Sequence, residues 1–288
     1  NSPFNRKAIV MLTYKYTDKL DEGKRMKEKQ FRKQFAVDYF KKSYESKLKN
    51  TAFESGKDFK IVKVNSWSDL FERIPWFKKD INDIKEFTLD DLLAINGHSV
   101  SSTGSYDLND WMITINHIKK NINYKENSHI LEIGCGAGAL LKVFENNNEI
   151  YGIEPSNNYY NIVKRALPQG KFILGDALQI EKIKDNSLDV VLSHSCIQYF
   201  PSLEYFEKCI NLVYKKLKSG GRIAFTDLQD KDKENECIKH RISLIGEENY
   251  KTKYVNTGLN HFYISRDEIT KIVQNKFNNI HFTNAVKR

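Results

Sequence analysis

No apolar run in the 288 residues is long enough to span a bilayer, and no stretch reads as a signal peptide. Only four cysteines occur, Cys135, Cys196, Cys209 and Cys237, and no two form a C-x-x-C or other metal-type pair. Their scatter gives no disulfide framework and points to a reducing, cytoplasmic compartment. No compact carboxylate cluster calls for a metal ion. No internal repeat or low-complexity linker divides the chain. The Walker pattern G-x-x-x-x-G-K-[ST] is missing, and so is the dinucleotide fingerprint G-x-G-x-x-G. What is present suits a packed core: 40% hydrophobic, 12% aromatic and 29% charged residues. The length allows one large domain, or one domain with an appendage.

The net charge is +9, and about two thirds of the excess lies in the first 120 residues. Such a balance suits nucleic acid, an acidic substrate or a membrane surface, and equally a solvated face of dispersed lysines. Residues 7–14 read as a strand or the start of a helix. Residues 24–49 have helical spacing, with Met26, Phe31, Phe35, Tyr39 and Phe40 among basic residues. That pattern fits a helix packed on the main domain, and also one lying on a membrane or on nucleic acid. Residues 59–64 alternate as a short strand. Residues 66–78 gather Trp67, Leu70, Phe71, Ile74, Trp76 and Phe77, which close a small core or pack on the main domain, and Pro75 ends or kinks any helix there. Thr88 caps a helix with acids in its first turn. The softest boundary is the run of small turn residues at 96–105. It separates a basic, mainly helical region, residues 1–100, from a second domain, residues 101–288.

The second domain opens with a helix at 107–120 and then turns on residues 128–138. Ile130, Leu131 and Ile133 form a short apolar strand. Gly134, Gly136 and Gly138 follow at alternate positions, and Ala139, Leu140, Leu141, Val143 and Phe144 continue with helical spacing to about residue 147. Strand, glycine turn and helix make a nucleotide-type site, with helix N–H groups and a positive dipole end beside it. Strands at 149–154, 171–175, 188–193 and 222–227 alternate with helices at 157–167 and 202–218, and Ser156 is a helix cap. A helix at 266–275 and a last strand ending at Phe282 follow. This rhythm predicts an α/β fold: a doubly wound, mostly parallel Rossmann-like sheet with helices on both faces and a helical N-terminal extension.

Leu131-Glu132-Ile133-Gly134-Cys135-Gly136-Ala137-Gly138 resembles the first motif of class I S-adenosylmethionine methyltransferases. Ala139 stands where a dinucleotide fingerprint wants its third glycine, which turns the reading away from NAD. The resemblance covers roughly residues 100–283 and is to the small-molecule type. It implies S-adenosyl-L-methionine as cofactor, with Gly134, Gly136 and Gly138 around the amino-acid end and Glu132 helping to bind it. Glu154, eighteen positions after Gly136, ends the next strand and is placed for the ribose hydroxyls. Glu154-Pro155-Ser156 resembles the family at that point. Asp176 corresponds to the acid that accepts from the adenine amino group, with the Ala177 N–H reaching the ring. The segment from Ser193 to Pro201, including Tyr199, and Leu217 to Ile223 resemble later motifs, with Ser219 where the family usually has Pro. Tyr106 is a candidate lid residue whose ring suits a sulfonium cation. The family usually ends on an antiparallel seventh strand, and only six residues follow Phe282. That strand is therefore missing, or the chain is cut from a longer one.

Methyl transfer to a hydroxyl gains from alignment and from a base. His194, Asp227 and His261 are the candidates. Cys135 reads as a packing residue. The expected function is methyl transfer to a small, hydroxyl-bearing acceptor, with glycan or capsule-type sugars and phosphorylated precursors favoured. Two alternatives remain. One is a nucleic-acid methyltransferase using the basic N-terminal region, although no Asn-Pro-Pro-Tyr-type motif occurs. The other is a non-catalytic cofactor-binding scaffold.

Overall fold

The computed structural model describes residues 10–14, 51–54, 60–63, 67, 71–72, 81–99, 106–251, 255 and 260–284. The expected helix at 24–49 lies outside them, as do residues 100–105 of the turn-rich boundary. In chain order the strands are β1 (Val10–Tyr14), β2 (Thr51–Glu54), β3 (Lys60–Lys63), β4 (His129–Ile133), β5 (Glu149–Glu154), β6 (Lys171–Leu174), β7 (Leu188–His194), β8 (Leu217–Leu228) and β9 (Ile280–Asn284). The α-helices are α1 (Leu89–Ile95), α2 (Leu108–Asn121), α3 (Ala139–Lys142), α4 (Asn157–Ala166), α5 (Leu203–Lys216), α6 (Glu234–Ile245), α7 (Glu247–Tyr250) and α8 (Arg266–Val273).

Two compact units divide the chain, and the division does not fall at residue 100. One unit holds residues 1–16, 111–232 and 261–286; the other holds 17–110, 233–260 and 287–288. The first unit is built on a seven-stranded sheet in the order β6-β5-β4-β7-β8-β1-β9. Every neighbouring pair is parallel. The central strands β4 and β7 are apolar on both faces, with Ile130, Leu131, Ile133, Val190, Val191 and Leu192 all buried, as a sheet covered on both sides requires. Helix α2 sets Trp111, Ile115 and Ile118 at helical spacing, all buried. On α5, Phe206, Cys209, Ile210 and Val213 are buried, and Phe206 meets Phe225 of β8 edge-on with ring centroids 6.1 Å apart. Burying each such ring contributes about 2–3 kcal/mol. Ser156, Ser202 and Ser265 cap α4, α5 and α8 through their side chains.

Three expectations change. Strand β1, read as strand or helix, pairs with β8 on one side (Val10 opposite Ile223) and β9 on the other (Val10 opposite Ile280). The N-terminal region therefore does more than extend the fold: it fills the place between β8 and β9, in parallel orientation. Helix α3 ends at Lys142, not near residue 147. Val143 and Phe144 make i→i−3 bonds to Leu140 and Leu141, and Asn148 takes the Phe144 carbonyl with its side-chain amide (2.7 Å), a side-chain competitor that ends helices. A four-residue helix supplies little dipole at the glycine turn. Strand β8 begins at Leu217, ahead of the two glycines, and the register against β7 shifts between Leu188 and Val190.

The second unit is smaller in regular structure. Strands β2 and β3 pair antiparallel, Thr51 opposite Lys63; residues 59–64 were the expected strand, and its partner was not foreseen. Thr88 closes a capping box on α1: its hydroxyl accepts from Asp91 N–H (3.1 Å) and Asp91 accepts from Thr88 N–H (3.2 Å). Trp67 and Phe71 stack at 6.2 Å, within the expected aromatic cluster.

Candidate active site

Because β4, β5, β7 and β8 run parallel, their carboxyl ends share one edge, where ligands of such sheets collect. The turn after β4 has left-handed backbone at Gly134 (φ +70°), Gly136 (φ +53°) and Gly138 (φ +89°). That conformation is costly for residues with a Cβ. Gly134 is doubly constrained, since a Cβ there would sit 2.3 Å from Cys196 Sγ.

Two carboxyls meet at this turn. Glu154, at the tip of β5 and buried, accepts from Gly136 N–H through Oε2 (2.8 Å) and from Ser156 N–H through Oε1 (2.9 Å). Glu132, on β4, is 3% exposed, and its Oε2 has no hydrogen-bond partner. Burial, and then the Glu154 carboxylate beside it, push the Glu132 carboxyl well above the usual carboxylate range. Burial also raises both nearby thiols, Cys196 to about 12 and Cys135 well above its ordinary value. Neither is a nucleophile at neutral pH, as expected for Cys135.

Asp176 follows β6, is exposed, and accepts from Leu178 N–H (3.0 Å), capping the short 3-10 helix that begins with buried Ala177. Pro155 lies in the turn between Glu154 and Ser156 and is exposed. Ser193 is buried and its hydroxyl donates to the Ile133 carbonyl (3.0 Å), tying β7 to β4. His194 is also buried. Its Nδ1 lies 2.8 Å from Thr226 Oγ1, and Trp111 covers its ring edge-on at 5.1 Å. Those contacts describe a packed histidine more readily than a base open to substrate.

The remaining residues gather at the ends of β7 and β8. Ser195 (φ +54°) and Asp227 (φ +62°) both hold left-handed backbone, and the Ser195 hydroxyl donates to Asp227 Oδ2. Two non-glycine residues in that region, side by side at a ligand edge, are strain of the kind found at functional sites. Gln198 and Gln229, both buried, bond to each other at 2.6 Å. Phe262 N–H donates to the Gln198 carbonyl (2.8 Å) and Ile264 N–H to that of Gln229 (3.0 Å). This ladder brings His261 against Tyr199, with ring centroids 5.6 Å apart. Thus Glu132, Gly134, Gly136 and Glu154 come together, and so do Asp227 with Ser195 and His261 with Tyr199. Sequence reading missed Ser195, Gln198 and Gln229. Ser195 and Gln198 lie inside the motif running to Pro201, but nothing local marks their partners. Tyr106 belongs to the second unit, is buried, and bonds through its N–H to the His98 carbonyl (3.0 Å).

The family described as "Methyltransferase domain" matches residues 131–225, from β4 into β8. Residues 131–225 thus match a methyltransferase domain of the class I, S-adenosylmethionine-dependent kind. Among curated relatives, phosphoethanolamine N-methyltransferase 2 of Caenorhabditis elegans is 33% identical over 137 residues, covering 45% of this chain and 29% of that protein. Peramine synthetase ppzA of Metarhizium majus is 27% identical over 206 residues, 66% of this chain and 7% of that protein. The chain thus spans under a third of either relative. Among solved structures, the YcgJ protein of Bacillus subtilis aligns at TM-score 0.44 with 16% identity, covering 56% of this chain and 66% of that one. S-adenosylmethionine is the cofactor of this domain family. The site fits such a ligand on its own terms: a glycine turn open to close approach, and beside it a buried carboxyl oxygen awaiting a donor.

Proposed function

We propose that the chain transfers a methyl group from S-adenosylmethionine to a small acceptor bearing a hydroxyl, with glycan or capsule-type sugars and phosphorylated precursors as the leading class. The observation that carries this reading is the Ser195–Asp227 pair on the same sheet edge as the glycine turn. When bound, the cofactor supplies an electrophilic methyl carbon and a neutral thioether leaving group. Glu132 and the backbone of residues 134–138 hold its amino-acid end, Glu154 its ribose hydroxyls, and Asp176 with the Ala177 N–H its adenine. An acceptor hydroxyl must lose its proton as the new bond forms. Asp227, held by Ser195, takes that proton or orients His261, which takes it. Alignment of acceptor atom, methyl and sulfur supplies the larger part of the rate.

A second reading replaces the hydroxyl by the amine of a phosphorylated amino alcohol. It is favoured by the named activity of the C. elegans relative, and the net charge of +9 suits an anionic acceptor in either case.

The test is S-adenosylhomocysteine release across a panel of sugars, sugar phosphates, nucleotide sugars and phosphoethanolamine. Turnover with a sugar supports the first reading, and turnover with the amine the second. Tight cofactor binding with no turnover across the panel points to a scaffold, and tight, salt-dependent RNA retardation to a nucleic-acid enzyme. Affinity for NAD above that for S-adenosylmethionine overturns all of these.

A further inference from the structure

Two carboxyls stand at the glycine turn, and they are not equivalent. Both oxygens of Glu154 accept backbone N–H groups, from Gly136 and Ser156. Glu132 has the opposite surroundings. It is 3% exposed, Oε2 meets no donor, and no ion pair among the described residues includes it. The ionisable groups around it are Glu154 from β5, Cys135 from the turn itself and Cys196 from the segment after β7. Both thiols stay neutral, so among these described groups the charge acting on Glu132 is that of Glu154, and it is negative. A buried carboxylate with one oxygen lacking a donor and a like-charged neighbour is costly, and protonation removes that cost.

We propose that Glu132 is a proton-exchanging seat for the cofactor: its carboxyl is neutral in the ligand-free protein and sheds its proton as the ammonium of the cofactor's amino-acid end arrives. The inference rests on the S-adenosylmethionine reading and adds to it a linkage between cofactor affinity and pH. The balance is simple. One carboxylic acid and one ammonium ion become a carboxylate–ammonium pair, and one proton passes to the buffer. The ammonium brings the donors that Oε2 lacks and offsets the charge of Glu154. Affinity therefore rises with pH, about tenfold per unit, until the ligand-free carboxyl is itself ionised.

S-adenosylhomocysteine carries the same amino-acid end and needs no acceptor. It is titrated calorimetrically at pH 6.5, where an α-amino group is still protonated, in buffers of different ionisation enthalpy. The expected result is release of close to one proton per ligand by the wild-type protein, and close to none by Glu132→Gln. The affinity of the wild-type protein alone, followed from pH 5.5 to 7.5, gives the same answer should the variant fail to fold. Binding with no proton released and a flat pH profile overturns the proposal while leaving the cofactor reading intact. Equal proton release by both proteins assigns the exchange elsewhere and also overturns it. No binding by the wild-type protein defeats the cofactor reading itself.

Discussion

Gly134→Ala tests whether the glycine turn is set by geometry. The position has φ +70°, where a Cβ costs about 1–2 kcal/mol. The added carbon meets Cys196 Sγ at 2.3 Å and Cys196 Cβ at 2.8 Å. Cys196, in the segment after β7, lies against this position, and overpacking of this kind costs about 1–3 kcal/mol. Together the two effects remove about 2–5 kcal/mol, a large part of the stability of an ordinary domain. For a chain of this size the melting temperature drops by roughly 4–20 °C. Circular dichroism melts and urea titrations of the single variants and of Gly134→Ala/Cys196→Ala measure it. Removing Sγ relieves the closer contact and leaves the backbone strain, so the double variant should regain about 1 kcal/mol relative to additivity. A Gly134→Ala protein melting within about 1 °C of wild type would refute the conformational account. Strict additivity in the double variant would clear Cys196 of the clash.

Four further outcomes are expected. Gly136→Val, at φ +53°, abolishes calorimetric S-adenosylhomocysteine binding while leaving a cooperative melt; unchanged affinity counts against the turn as the cofactor seat. In ligand-free protein the folded Glu132 carboxyl keeps its proton above 4.5, where the unfolded one loses it, so stability declines as pH rises from there towards the folded value. Glu132→Gln should accordingly gain at least ~3 °C over wild type at pH 8 and little at pH 4, and the reverse order contradicts the assignment. His261→Ala lowers turnover more than cofactor affinity once an acceptor is known, whereas normal turnover shifts the proton-accepting role to Asp227 or His194. Alkylation at pH 8 followed by mass spectrometry should mark Cys237 first, because burial raises the thiols of Cys135, Cys196 and Cys209; early loss of Cys196 signals an open turn.

The central sheet was legible because its strands are short apolar runs closed by turn residues. Residues 149–154 were read with the bounds of β5, and Ser156 was identified as the cap it is. Local chemistry announces such features. The length of α3 was misread because Leu140, Leu141, Val143 and Phe144 keep helical spacing past the point where Asn148 captures the chain. The two glycines at 220 and 221 looked like a strand boundary, and β8 runs through them. At the site, Glu132, the glycines and Glu154 were legible from one segment and its neighbour. The Ser195–Asp227 pair was not, because it joins strand ends 32 positions apart and depends on backbone angles that neither residue type advertises.

Strand β1 has a bearing on how the protein is made. Its partners begin at Ile223 and Ile280, so an apolar segment near the start of the sequence waits for more than two hundred residues to be synthesised. At the usual pace of about 5–20 residues per second that delay is roughly 10–40 s. Strands β4 to β7 can pair in order as they emerge, but the sheet has no inner neighbour for β9 until β1 returns. Sheet closure is thus a late, non-local event, slow by its topology. Until then the segment Val10-Met-Leu is exposed to misassociation, and a holding chaperone has a natural place to act on this chain.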